Sequence, residues 1–194
     1  MDDSIAQCLT LMSQIKRRLL HAIELASTLK PGVATYEHEY VALHIRKLLE
    51  QIAYSSLIVN RTAYLRNFPK FEKEWRPTQL LKLIEQINPN FYPQPVVYPS
   101  PGNLVALEDG FITREDFEFL YKKTHVLLHA QHPHVPFQDV SQWKHSPNDW
   151  LVMIGTLLQF HVMHVAESDR LLIIELGPRD CPPRIIGAVH EAEI

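Results

Sequence analysis

His125, His129 and His132 fall at spacings of four and three within residues 113–132, a segment of strongly helical composition. At about 100° per residue those steps return to nearly one side of an α-helix, so the imidazoles can converge on a metal ion, a phosphate group or a proton in transfer. The i, i+4 pair His125 and His129 has the spacing with which two consecutive helical turns reach one zinc ion. Further nitrogen ligands lie on other predicted helices, at His44, His161 and His164, which makes His44, His125, His129 and His161 a candidate set for a divalent transition metal such as zinc. There is no HisGluXaaXaaHis motif, and the GluXaaXaaHis pattern of metal-binding bundles is absent along these helices.

A different use of the same side chains needs no metal. An imidazole beside a cation can cut RNA, the imidazole handling the ribose 2′-hydroxyl and the cation steadying the phosphate. The bland reading is that each histidine is hydrogen-bonded at a helix end or in a core.

The elements that must position these residues are mostly helical. Residues 4–29 repeat apolar side chains at Ile5, Leu9, Met12, Leu19, Ile23 and Ala26, with Lys16, Arg17 and Arg18 on the other side, and Lys30, Pro31 and Gly32 end the helix. A second helix is expected from Thr35 to about Asn60, turning Val41, His44, Ile45, Leu48 and Ile52 inward. Tyr64, Phe68, Phe71 and Trp75 alternate with Arg and Lys between 61 and 77, a mixture able to stack bases but explained as well by aromatic anchors of a connection. A short helix over 78–87 follows Pro77. Five prolines crowd residues 88–112, yet Phe91, Tyr92, Val96, Val97 and Tyr98 are too apolar for a solvated tether, so an ordered excursion is expected there. Thr113 with Asp116, and Ser146 with Asp149, have the spacing of helix-starting caps; the second opens an apolar helix expected to reach Glu167. The runs 171–176 and 184–190 flank a Gly and Pro turn region and predict a β-hairpin.

Bulk composition bounds the rest. The chain has 194 residues, enough for one sizeable core, and 46% of them are hydrophobic. Its 19 Lys and Arg against 22 Asp and Glu leave no overall field that would grip nucleic acid or an anionic membrane, so such a partner must use a local patch. Cys8 and Cys181 show no metal-ligand spacing, and AspAspSer follows Met1 where an export signal would be basic and then apolar, which together predict a cytoplasmic protein. The 17-residue apolar run 150–166 carries Gln159, His161 and His164 and is short for a membrane span. Six scattered glycines form no phosphate loop, and Ser55 and Ser56 have no acid and histidine partners at readable spacing.

The helical order, the segment HisIleArgLysLeuLeuGluGlnIleAlaTyrSerSerLeu at 44–57 and the segment LeuTyrLysLysThrHisValLeuLeuHisAlaGlnHisPro at 120–133 resemble prokaryotic HEPN-like proteins over residues 1–167. The resemblance implies an all-α up-and-down bundle, dimerisation through the helices that bear the site, and a role in toxin–antitoxin or antiviral defence, some members being metal-independent ribonucleases. The active ones carry Arg, four to six residues, then His on a late helix. Here Lys123, five residues and His129 stand in that place, and lysine cannot clamp a phosphate with two parallel hydrogen bonds as arginine does. The literal match, Arg184 to His190, falls in the predicted hairpin.

The expectation is therefore a mainly α protein, an up-and-down bundle of four long helices plus one short over 1–167 with the excursion at 88–112, and a C-terminal β-hairpin appendage over 168–194. Its expected function is that of a HEPN-like defence component, acting through a homodimer or a protein partner and with no membrane. A weak RNA-directed site would have His129 as general acid or base, Lys123 as phosphate contact and His125 as orienting neighbour, without a cofactor. A metal-dependent bundle enzyme and a non-catalytic interaction protein are the alternatives.

Overall fold

Helix α1, Asp2–Ala26, buries Cys8, Met12, Ile15, Leu19, Ala22 and Ala26, every third or fourth residue, and so presents one continuous apolar stripe. That stripe is rotated from the expected one, since Ile5, Leu9 and Ile23 lie at its half-buried edge. Lys16, expected on the solvent side, is buried: its ammonium donates to the carbonyls of Leu176, Pro178 and Cys181, far along the chain. The chain described here is a computed structural model covering residues 2–32, 34–100, 103–129, 134 and 139–190, so His132 lies outside the described residues.

Helix α2, Tyr36–Asn67, runs seven residues past the expected end at Asn60. The extra turns are held by Tyr64, which is fully buried and donates its hydroxyl to the Phe71 carbonyl at 3.0 Å. At the other end Thr35 and His38 close the cap: the Thr35 N–H donates to His38 Nδ1 at 3.2 Å, and His38 Nε2 meets the Lys30 carbonyl at 3.1 Å. This histidine is spent on structure.

Helix α3, Pro77–Glu85, takes in Pro77, one residue before the expected start, and ends two residues before the expected Ile87; α4 is Arg114–Leu128 and α5 is Pro147–Gln159. The two expected caps are both made. Thr113 Oγ1 accepts from the Asp116 N–H at 3.1 Å, and Ser146 Oγ from that of Asp149 at 3.1 Å. Each such cap contributes about 1 kcal/mol. Helix α2 is central, packing on α1, α3, α4 and α5 around one apolar core.

The strands depart from expectation. The apolar helix stops at Gln159, not near Glu167, and the next residue begins strand β3, Phe160–His164. Among the described residues, five strands form one antiparallel sheet in the order β2-β1-β3-β4-β5, with β1 Gln94–Ser100, β2 Asn103–Ala106, β4 Arg170–Glu175 and β5 Arg184–His190. The predicted hairpin is present as β4 and β5, but it is two strands of five and shares β3 with the chain before residue 168. The proline-rich excursion supplies the other two. Pro95 and Pro99 sit in β1 where a missing N–H is tolerated at a short, irregular pairing, and a register shift separates Val97 from Ser100.

The sheet is two-faced. Met163, Ile174 and Leu176 join the main core, while Val96, Val162 and Ile173 make a small separate cluster on the other side. Asn60 stitches the layers together: its side-chain oxygen accepts from Asn88 Nδ2 and from the Ala166 N–H, both at 2.9 Å, and its amide donates to the Ser56 carbonyl at 2.8 Å. No helix among the described residues is long and apolar enough to cross a membrane.

Candidate functional site

Helix α4 turns Phe117, Leu120, Thr124 and Leu127 into the core, which leaves Tyr121 and His125 on the flank that faces α2. His129 follows the last helical residue with extended backbone (φ −92°, ψ 144°), and its ring folds back on His125. The two rings lie edge to face with centroids 4.2 Å apart, and His129 Nε2 is 3.2 Å from His125 Nδ1. Both side chains are exposed. A contact of this kind needs one nitrogen protonated and the other not, so the pair is built to hold a single proton between two imidazoles.

The cation beside the pair comes from α2. Arg46 donates from Nη2 to the Tyr121 hydroxyl at 2.6 Å, and its Nε lies 3.5 Å from Glu50 Oε1. Its Nη1 is buried without a hydrogen-bond partner among the described residues. Desolvation, the charge of His129 and the charge of Arg46 together hold His125 below the ordinary imidazole value of 6.5. Burial likewise raises the Tyr121 phenol, against the opposing pull of Arg46. The surface thus carries a guanidinium, a phenol and two imidazoles, the set of groups that bind and protonate a phosphate ester.

Lys123, the phosphate contact expected from the sequence, is not on this face. Two residues before His125 means about 200° around the helix, and its ammonium lies over the Phe119 ring, 5.5 Å from the centroid. The cation whose charge reaches His125 is Arg46. In the sequence the signal for Arg46 is the polar line Arg46, Glu50 and Tyr54 at steps of four, beside the inward stripe of α2.

The histidines of the metal alternative are dispersed. His44 sits in the groove between α1 and α2, its ring edge to face with His21 at 5.2 Å and with Tyr40 at 5.1 Å. His161, fully buried in β3, donates from Nδ1 to the Leu158 carbonyl at 3.1 Å, and burial pushes it down to about 4. His164 ends the same strand, half-buried, and its carbonyl accepts from Asn88. Among the described residues no three His, Cys, Asp or Glu side chains are placed to hold a metal ion.

The remaining sequence candidates resolve as structure. Ser55 and Ser56 are buried and both donate to the Ile52 carbonyl. Of the aromatics between 61 and 77, Tyr64 and Phe68 pack on each other, whereas Phe71 and Trp75 remain exposed. Arg184 lies in β5 and pairs with Glu175. No family model, curated protein or solved structure matches the chain.

Proposed function

We propose that this chain is an RNA-directed interaction protein of the HEPN-like kind, a component of a prokaryotic defence or toxin–antitoxin system. It works with a second copy or a protein partner, and its RNA site lies at the α2–α4 flank. The observation that carries the reading is the His125–His129 ring pair set beside the Arg46 guanidinium on an accessible surface. In this reading Arg46 contacts the phosphate, His129 gives or takes the proton, and His125, held neutral to lower pH than an ordinary imidazole, receives or returns it. The fold carries this site on helices that pack around α2, with the sheet as a second layer.

The test is cleavage and binding of single-stranded RNA by the purified protein and by its variants. His129→Ala is expected to lower cleavage about 10²-fold or more. Arg46→Gln is expected to weaken RNA binding and to move the acid limb of the pH–rate profile upward, because a charge that depresses His125 is removed. His129→Ala with RNA cleavage, RNA binding and cell toxicity all unchanged would end the reading; no cleavage or binding by the parent protein would leave a non-catalytic interaction protein.

A further inference from the structure

The groove between α1 and α2 carries a second cluster of donors that the α4 site does not use. Gln14, Arg17, Arg18 and His21 line it from α1, and His44 from α2. Arg18 Nη1 lies 3.4 Å from His44 Nδ1, so the guanidinium donates and the remaining imidazole proton belongs on Nε2. That Nε2, like Arg18 Nε, is buried without a hydrogen-bond partner among the described residues. Two guanidinium groups and two imidazoles thus line a groove that has no carboxylate among its lining residues, over two buried donors without a partner among the described residues. The Arg17 and Arg18 charges, with no carboxylate in the lining, make the groove a site that favours an anion. The ring of Tyr40, half exposed one turn before His44, stands at the edge of the same groove.

We propose that this groove holds a phosphate of a single-stranded RNA and that Tyr40 stacks on an adjoining unpaired base. A guanidinium pair with an imidazole matches a phosphodiester oxygen, and an exposed aromatic face matches a base that is not in a duplex. The two basic clusters also share a ridge: His44 and Arg46 are about 200° apart around α2, with exposed Tyr40, Leu43 and Lys47 between them. A strand lying across that ridge reaches both. The proposal rests on the RNA-directed reading for its ligand and assigns that ligand a second contact.

The probe is a twelve-nucleotide oligouridylate, followed by the imidazole NMR signals of the intact protein. His21 and His44 are expected to shift and saturate with the RNA, with the pKa of His44 rising because a bound anion opposes the charges of Arg18 and His21 that now lower it. Arg17→Gln, at an exposed position, is expected to weaken binding about fivefold and to reduce the slope of log Kd against log salt by about 0.7, one phosphate's share. Tyr40→Ala is expected to weaken binding about fivefold with the salt slope unchanged, since a lost stack releases no counterion. If only His125 and His129 shift, and both variants bind as the parent does, the groove is overturned while the α4 site stands. If His125→Ala with His129→Ala binds RNA normally and His44 still shifts, the groove is upheld and the α4 site falls. Absence of any binding overturns both.

Discussion

Buried imidazoles give this protein a built-in sensitivity to acid. His161 is fully enclosed in β3 with its one proton committed to the Leu158 carbonyl, and it titrates near 4 in the fold against 6.5 in the unfolded chain. Between those values the unfolded chain takes up a proton that the folded chain refuses. Stability therefore falls as pH drops from 6.5 toward 4, by roughly 3 kcal/mol across the window, and is independent of this residue above it. Urea midpoints at pH 7 and pH 4.5 check this: His161→Leu should lose much less stability between the two than the parent does. Equal losses would place the acid sensitivity elsewhere. His44 and His125 are shifted in the same direction, His44 by burial and then by the charges of Arg18 and His21, His125 by desolvation and then by its basic neighbours.

At the scale of the elements, α1 is latched to the β4–β5 connection by a buried side chain, Lys16, and by the exposed Glu24–Arg179 pair. Lys16 passes out of the apolar stripe to the carbonyls of Leu176, Pro178 and Cys181, a set of acceptors with no carboxylate among them. Lys16→Met keeps the aliphatic stem and strands those carbonyls, with an expected cost of about 1.5–3 kcal/mol in chemical denaturation. A loss under 0.5 kcal/mol would mean that water replaces the ammonium freely. The helix starts were legible in the sequence because caps are local: Thr113 with Asp116, Ser146 with Asp149 and Pro77 each act within a few residues. The β4–β5 hairpin was legible for the same reason. The switch from α5 to β3 was not, because Leu157, Leu158, Val162 and Met163 are apolar in either geometry and no Gly or Pro divides them. Tertiary pairing with β4 decides it. The meeting of His125 and His129 rings follows from i, i+4 spacing, whereas the placing of Arg46 beside them depends on how α2 packs against α4, which spacing along one helix does not encode.

Taken whole, the molecule is joined across its layers by buried polar side chains, Lys16 at one place and Asn60 at another. Asn60 links α2 to the segment after α3 and to the turn between β3 and β4, where Glu167 adopts a left-handed φ of 59°. Asn60→Ala removes three hydrogen bonds at a buried site and is expected to cost about 2–4 kcal/mol. A single, earlier transition seen alike by helical circular dichroism and by the NMR signals of strand residues such as Val162 and Ile173 would show that helices and sheet unfold as one. Separate transitions would show that this side chain is what makes them one. The direct passage from Gln159 of α5 into Phe160 of β3 has a mechanical consequence of its own. No spacer residue stands at that joint, and the Leu176 N–H donates to the Gln159 carbonyl at 2.9 Å, so the end of the helix is tied to the residue that follows β4. A displacement of β3 or β4 is therefore passed to the C-terminal end of α5 through one peptide link and one hydrogen bond.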